Sequence, residues 1–199
     1  MMLKIGITGG IGSGKTTVCK VFETLGIPVF YADTVAKQIM VTDELLVAGV
    51  KSAFGKESYA ADGSLNNKYI AGIVFNNADE LARLNALVHP AVFRAFDSWV
   101  KQVPATVPYV LKEAALLFES GSYKLCDQNI LVLAPEAVRL RRVMDRDGVT
   151  AEQVKVRMDK QLPDEDKIKL ADQVINNNET DSLIVQVTQL HQLFLNSTQ

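Results

Sequence analysis

The sequence predicts an α/β fold in which helices cover a parallel sheet. A short β-prone run at residues 3–8 stops at a glycine cluster, which is typical of a strand followed by a tight loop. A helical pattern and a second β-prone run at residues 28–32 follow, and strand, helix and strand within about 30 residues form a βαβ unit. Such a unit implies parallel strands joined by a right-handed crossover.

The helix of this unit is predicted after Lys15. Apolar residues there recur at i, i+3, i+4 and i+7 and so share one helix face. They are Val18, Val21, Phe22 and Leu25. Gly26 supplies a stop signal, and the second strand is predicted to end at Asp33.

The rest of the chain alternates between helical and strand patterns. Residues 34–104 are predicted to form an inserted helical region, in which His89 and Pro90 mark a helix end. The sheet is predicted to resume at residues 108–111 and 129–133, because both runs are short and apolar. After a charged, mobile helical segment, a last strand is predicted at residues 173–175, followed by an amphipathic helix.

Composition is that of a globular protein. The 199 residues are 48% hydrophobic and 22% charged, and the net charge of −2 gives no field that would attract nucleic acid or an acidic membrane. Cys19 and Cys126 lie far apart, which predicts buried thiols and argues against a zinc site or a disulfide. Without a signal peptide or a long apolar run, we expect a soluble, cytoplasmic protein.

Residues 9–16 read GGIGSGKT and match the phosphate-binding pattern G-x-x-x-x-G-K-[ST] in full. Glycines allow successive N–H groups to face an anion, and the helix that follows adds its N-terminal dipole. Lys15 can then bridge the β- and γ-phosphates, and the Thr16 hydroxyl can ligate Mg²⁺. The motif predicts binding of a nucleoside triphosphate; the alternative is a glycine-rich turn with a solvated lysine.

Asp33 is a candidate general base. In an open parallel sheet, ligands bind at the carboxyl ends of the strands, and a carboxylate there can orient an acceptor hydroxyl and take its proton. Asp33 also precedes a predicted helix at residues 34–40, where aspartate is a favoured N-cap. Spacing alone does not separate these two roles.

Two further sets of charges are candidates at the same edge. Glu113 follows a predicted strand and can hold the water shell of a metal, or be an ordinary surface glutamate. Arg139, Arg142 and Arg146 stand at i, i+3 and i+7 on a predicted helix, so they form one basic stripe. Such a stripe can clamp transferring phosphates or be a solvated helix face.

Ordered motifs along nearly the whole chain resemble those of the dephospho-CoA kinase family. They are residues 8–17 (TGGIGSGKTT), 31–33 (YAD) with Ala36, 62–65 (DGSL), 73–75 (IVF), 84–90 (LNALVHP), 116–119 (LLFE), 142–147 (RVMDRD), Gln161, 171–172 (AD) and 174–175 (VI). Many small kinases share the first motif, whereas the others in this order are typical of one family.

The resemblance implies a P-loop NTPase fold of the nucleoside- and nucleotide-kinase kind, a three-layer parallel sheet with a helical acceptor domain and a helical lid. The implied reaction is ATP-dependent phosphorylation of the ribose 3′-hydroxyl of dephospho-CoA, the last step of CoA biosynthesis. The nucleotide-binding core is expected at residues 1–33, 105–135 and 170–199, the acceptor-binding insertion at 34–104 and the lid at 136–169. We expect a monomer or a weak homo-oligomer.

The residue patterns and the resemblance together assign site residues. Asp33, at the position of the family base, and Lys15 of the loop are the expected catalytic residues; Thr16 of the loop and Glu113 after its strand are the expected Mg²⁺ site. The expected ATP-binding residues are Gly12, Ser13, Gly14, Lys15, Thr16 and Thr17 in the loop, with Arg142 and Arg146 at the edge of the lid.

The sequence departs from the family pattern at three places. Glu113-Ala114-Ala115-Leu116-Leu117 replaces the usual Asp-x-Pro-Leu-Leu, so an acid is kept and a proline is lost. Asn176 replaces an aspartate, and Asn67 stands where an arginine is common.

Two other functions fit parts of the pattern. A kinase of another small acceptor, such as a nucleoside or nucleotide, would share the same core. A GTPase-like switch would need an Asn-Lys-x-Asp guanine reader, and residues 67–70 (NKYI) fail at the last position. Residues 145–148 (DRDG) fit Asp-x-x-Gly formally, but they lie within or at the end of a predicted helix.

Overall fold

The computed structural model describes residues 2–75 and 77–197. They form two compact units, of which the first holds the chain up to Tyr31 and from Val103 onward. The second unit is Ala32–Gln102. The sequence predicted an insertion with slightly different limits, at residues 34 and 104. That this insertion binds the acceptor and that residues 136–169 form a lid stay predictions.

The first unit is built on a five-stranded parallel sheet. Its strands are β1 Leu3–Gly9, β2 Val29–Tyr31, β3 Tyr109–Glu113, β4 Gln128–Leu133 and β5 Gln173–Asn176. The strand order is β2-β3-β1-β4-β5, and every neighbouring pair is parallel. The predicted parallel α/β sheet is confirmed, and β1 lies at its centre.

Helices account for most of the remaining described chain. They are α1 Lys15–Thr24, α2 Ala32–Thr42, α3 Glu44–Phe54, α4 Asn67–Val74, α5 Ala78–Gln102, α6 Glu136–Asp147, α7 Ala151–Met158, α8 Asp164–Leu170 and α9 Leu183–Ser197. Across residues 2–75 and 77–197, no helix combines the length and the apolar character that a bilayer crossing requires.

The core of the first unit lies between the sheet and two helices, α1 and α9. Val18 and Phe22 of α1 and Phe194 of α9 pack against fully buried strand residues such as Ile5 and Ile130. Their burial is the main stabilising contribution of this cluster, at roughly 1.5–3 kcal/mol for each large apolar side chain. This packing fixes α1, and with it the loop that precedes α1.

The second unit is a helical cluster of α2, α3, α4 and α5. Its core contains Met40, Val50 and Phe54, and Tyr59 donates its hydroxyl to the Met40 carbonyl at 2.7 Å. The prediction that His89 and Pro90 end a helix is wrong, because α5 continues through Pro90. Residues of α5 before Pro90 (Leu84, Leu87 and Val88) and after it (Ala91) pack in the same core, and this packing keeps the helix intact although proline lacks an N–H group.

The ends of β2 and β3, next to two candidate site residues, differ from the prediction. β2 ends at Tyr31, because Ala32 and Asp33 already belong to α2. β3 extends to Glu113, since Lys112 and Glu113 still pair with β1. Cys19 is buried as predicted, but Cys126 is only partly buried, and both thiols are free.

Candidate functional site

The loop between β1 and α1 is a backbone cradle that requires glycine. Gly12 has φ 78° and Gly14 has φ 92°, in the left-handed region that side chains disfavour. At Gly12 there is also no space, since a Cβ would lie 2.6 Å from the Arg139 carbonyl oxygen and 2.9 Å from Val143. A side chain at either glycine would block the close approach of an anion to the loop backbone, so glycine is needed here for an anion site.

The first turn of α1 completes this cradle. Gly14 is the N-cap and has no side chain that could accept from the first-turn N–H groups. Thr16 and Thr17 are exposed there, whereas Ser13 is fully buried. The helix N-terminus carries a partial positive charge, so this end of α1 favours a bound phosphate.

Lys15 lies over the loop. Its ammonium donates to the Gly9 carbonyl at 3.0 Å and to the Gly10 carbonyl at 3.5 Å. These contacts keep the positive charge within the cradle instead of in bulk solvent. The glycine backbone, the helix N-terminus and the lysine together fit the phosphates of a nucleoside triphosphate.

Two side chains from distant parts of the sequence hold the loop from outside. Asn177, directly after β5, donates from Nδ2 to the Ser13 carbonyl at 2.8 Å in a buried hydrogen bond. Gln161, between α7 and α8, accepts from the Ile11 N–H at 2.8 Å. In the sequence, Gln161 stands out only as part of a family motif and Asn177 does not stand out, so no local pattern predicts either contact.

The three arginines of α6 lie in different environments. The Arg139 side chain packs over Gly10 and forms an ion pair with Asp164 at 3.2 Å. Arg142 donates to the Gly12 carbonyl at 3.5 Å and to Asn177 Oδ1 at 3.3 Å. The structure thus brings Arg139 and Arg142 to the loop.

Arg146 does not join them at the loop. It pairs with its neighbour Asp147 at 2.7 Å, and its side chain is 62% exposed. Of the three arginines in the predicted stripe, two therefore lie against the phosphate loop and the third lies at the surface. The part of Arg146 in nucleotide binding stays a prediction.

Glu113 ends β3 at the carboxyl edge of the sheet. It pairs in register with Ile7 of β1 and Tyr31 of β2, and it is 7% exposed. The surface-glutamate alternative is therefore wrong, because the strand is longer than predicted and buries its last residue. A carboxylate in this place, one strand away from the loop, fits the water shell of Mg²⁺.

Protein ligands alone do not define a metal centre here. Among the described residues, no three His, Cys, Asp or Glu side chains gather around one point. Mg²⁺ is commonly bound through one or two protein oxygens together with substrate phosphates. Thr16 at the start of α1 and Glu113 at the end of β3 are donors of that kind.

Asp33 lies in the first turn of α2, where it is exposed. Asp33 is the second residue of α2 and not its N-cap, because the helix begins at Ala32, earlier than predicted. The N-cap alternative is therefore wrong. Asp33 follows the last residue of β2 by two positions. A carboxylate in the first turn is stabilised by the helix dipole.

A buried charged pair supports the segment around Gln161. The Lys167 ammonium lies 3.8 Å from Glu119 Oε1, and the Lys167 side chain is 1% exposed. Burial lowers the pKa of Lys167, and the Glu119 carboxylate opposes that shift. Glu119 Oε1 also accepts from the Leu162 N–H at 2.9 Å, which ties the turn before α8 to the segment after β3.

The helical unit contains a cavity of its own, of about 660 Å³. It lies between α2, the turn before α4 and α5. Its lining residues include Lys37, Met40, Leu65, Asn67, Leu84 and Val88. A cavity with apolar walls and a few polar groups is typical of a small-molecule site.

A parallel sheet with a glycine-rich phosphate loop and a lysine between its central strand and the first helix defines a P-loop nucleotide-binding protein. Comparison with known proteins identifies the family within this class. The family model for dephospho-CoA kinase matches residues 3–182. The chain belongs to the dephospho-CoA kinase family.

Individual relatives match this chain over most of their length. The dephospho-CoA kinase of Salinibacter ruber is 44% identical over 180 residues, 90% of each chain. A crystal structure of a Thermus thermophilus protein matches with a TM-score of 0.85 at 34% identity, covering 98% of both chains. The dephospho-CoA kinase of Campylobacter jejuni matches with a TM-score of 0.72 at 26% identity, covering 100% of both.

Family membership determines the reaction. The chain is a kinase that phosphorylates dephospho-CoA at the expense of ATP, in CoA biosynthesis. The predicted family, enzyme class and small-molecule acceptor are confirmed, and both alternatives, a kinase of another acceptor and a GTPase-like switch, are set aside.

Proposed function

We propose that the chain transfers the γ-phosphoryl group of ATP to the ribose 3′-hydroxyl of dephospho-CoA, in a Mg²⁺-dependent reaction assisted by Asp33. The observation that carries the proposal is the glycine cradle at residues 9–16, where Gly12 cannot accept a side chain. It lies in a chain that matches the dephospho-CoA kinase family over residues 3–182.

In this proposal the first unit holds the triphosphate. Loop N–H groups and the N-terminus of α1 bind the phosphates, and Lys15 neutralises charge on the β- and γ-phosphates as it develops. Arg142 borders the same loop through Gly12 and Asn177. Thr16 and Glu113 would hold Mg²⁺, which in such sites neutralises charge on the phosphate oxygens.

Asp33 is proposed as the general base. Its carboxylate would accept the proton of the 3′-hydroxyl while the hydroxyl oxygen forms a bond to the γ-phosphorus. The bond between that phosphorus and the oxygen bridging it to the β-phosphate breaks, and ADP leaves. Support comes from the place of Asp33, two residues after a strand that ends at the carboxyl edge of the sheet.

The helical unit Ala32–Gln102 is proposed to bind the acceptor. Its cavity of about 660 Å³ has the size of a small-molecule site. Lys37 lines that cavity and can attract the diphosphate of dephospho-CoA. The departure at Asn67 also lies on the cavity wall, so this chain has an amide where an arginine is common in the family.

An assay of ADP release across several acceptors tests the proposal. We expect turnover with dephospho-CoA and little with adenosine, AMP or pantothenate, each in the presence of ATP and Mg²⁺. Equal or faster turnover of any other acceptor would contradict it. Phosphorus NMR of the product distinguishes the 3′- from the 2′-hydroxyl as the site of transfer.

Three expectations stay predictions. They are the cytoplasmic location, the lack of a nucleic-acid partner, and the monomeric or weakly associating state. Analytical ultracentrifugation of the purified chain measures the last of these directly.

A further inference from the structure

Gln161 bridges two loops at the carboxyl edge of the sheet. Its Oε1 accepts from the Ile11 N–H of the phosphate loop at 2.8 Å, and its Nε2 donates to the Ala115 carbonyl at 3.1 Å. Since β1 and β3 are neighbouring strands, the loops that follow them are adjacent. One side-chain amide therefore joins the loop after β1 to the loop after β3.

The main chain around Gln161 is held in place. The Gln161 N–H donates to the Met158 carbonyl at 2.9 Å, and the Leu162 N–H donates to Glu119 Oε1 at 2.9 Å. That carboxylate is paired with the buried Lys167. The amide of Gln161 is thus presented from a fixed turn, which makes its two hydrogen bonds a rigid connection.

Each of the two bonds ends one or two residues away from a proposed functional group. Ile11 directly precedes Gly12, where the phosphate-facing part of the loop begins. Ala115 comes two residues after Glu113, the carboxylate proposed for the Mg²⁺ shell. Backbone N–H groups need acceptors, so an unpaired Ile11 N–H would favour rotation of its peptide unit and displacement of the loop.

We propose that Gln161 is a positioning residue that sets the distance between the phosphate loop and the Glu113 carboxylate. It acts through Ile11 and Ala115, and its effect is largest when Mg²⁺ and phosphates have to be bound together. This role rests on the proposed function, because it requires the triphosphate at the loop and the metal at Glu113.

The test uses two variants and a matched control in the full chain. Gln161→Met removes both hydrogen bonds at nearly constant volume, and Gln161→Asn keeps the amide on a side chain that is one methylene shorter. The control is Asn66→Leu, because Asn66 makes the same kind of amide pair away from the loop, accepting from the Tyr69 N–H at 3.2 Å and donating to the Glu57 carbonyl at 3.1 Å. Calorimetry measures binding of a non-hydrolysable ATP analogue over a range of Mg²⁺ concentrations.

We expect Gln161→Met to weaken binding of the analogue about 10-fold in the presence of Mg²⁺, as for the loss of one well-placed polar contact. The Mg²⁺ concentration for half-maximal turnover should rise, while the KM for dephospho-CoA stays constant. Gln161→Asn should behave like Gln161→Met, because its amide cannot reach both atoms. Asn66→Leu should bind the analogue like the wild type.

Several results would overturn the positioning role. They are unchanged Mg²⁺-dependent affinity in Gln161→Met, a Gln161→Asn variant with wild-type affinity, or an equal loss in Asn66→Leu. If Gln161→Met does not fold, the Asn variant decides by the same criteria. A wild-type chain that fails to bind the analogue or to phosphorylate dephospho-CoA contradicts the proposed function, whereas normal wild-type activity with unaffected variants contradicts only the role of Gln161.

Discussion

The phosphate loop of the first unit is built from backbone groups, whereas the helical unit Ala32–Gln102 presents side chains around a cavity. Gly12 and Gly14 have left-handed conformations that favour glycine, so the loop can be recognised in the sequence. The cavity wall comes from α2, α5 and the turn before α4, and none of its residues has a required conformation of that kind. Phosphate binding is thus predicted by a local motif, whereas the proposed acceptor site depends on the packing of helices.

Among the variants that test this difference, replacement of Lys15 should have the largest effect on activity. Its ammonium lies 3.0 Å from the Gly9 carbonyl, within the cradle, and it is the proposed partner of the transferring phosphate. We expect Lys15→Ala to lower kcat about 10³-fold, as for loss of a main electrostatic contact in the transition state. Undiminished ATP affinity and rate together would contradict the phosphate-site assignment.

A pair of glycine variants separates backbone strain from crowding in the loop. Gly12 and Gly26 have nearly equal φ angles, 78° and 80°, but a Cβ would meet Arg139 at Gly12 and nothing within 4 Å at Gly26. We expect Gly26→Ala to cost about 1–2 kcal/mol of stability, from the conformation alone. Gly12→Ala should cost more and also weaken binding of an ATP analogue by at least ~10-fold.

Denaturant unfolding and nucleotide titration of both variants provide the measurement. Equal losses of stability in the two variants would show that Arg139 yields to the added methyl group. Normal nucleotide binding by a folded Gly12→Ala variant would contradict the cradle.

In the helical unit, a charge reversal at Lys37 should affect only the binding of the acceptor. Lys37 lines the cavity and Lys68 does not, and both are exposed. We expect Lys37→Glu to raise the KM for dephospho-CoA about 10-fold, by repelling its diphosphate, and to leave the KM for ATP unchanged. Lys68→Glu is the control with the same change in net charge; equal effects of the two variants would place the acceptor elsewhere.

The smallest effect concerns a surface ion-pair cluster at the end of α6. Asp147 lies 2.7 Å from Arg146 and 2.8 Å from Arg157. The Arg146 guanidinium, aided by Arg157, lowers the pKa of Asp147 from 3.8 to about 2. Because the folded-state pKa is the lower one, the pairs stabilise the fold above about pH 4, and this contribution is lost as the pH falls toward 2.

Asp147→Asn should therefore lower Tm slightly at pH 7, by about 1 °C, and by much less near pH 2. Thermal melting at the two pH values measures this difference. A Tm difference that persists at low pH would contradict the role of the carboxylate charge.

The elements with local signals were predicted well. The motif at residues 9–16 was predicted between a strand and a helix, and the apolar runs of β1, β3, β4 and β5 mark their places in the sheet. Element limits were less accurate. β2 was predicted to reach Ala32 because its residues favour strands, but the first turn of α2 begins there.

The site beyond the loop could be predicted only in part. Glu113 was placed after a strand that in fact includes it, because pairing with Ile7 extends β3 through two charged residues. The contacts of Asn177 and Gln161 with the loop join positions more than a hundred residues apart, and they depend on tertiary packing. Arg139, Arg142 and Arg146 have equal local signals, yet only the first two pack against the loop.

The most direct test compares nucleotide binding with turnover in Asp33→Asn. This change removes the proposed base in α2 and leaves the phosphate loop as it is. We predict an unchanged dissociation constant for an ATP analogue and a kcat for dephospho-CoA that falls at least ~10²-fold, the lower range for general acid–base catalysis. Unchanged turnover in this variant would contradict the central claim that Asp33 activates the acceptor for transfer from the triphosphate at the loop.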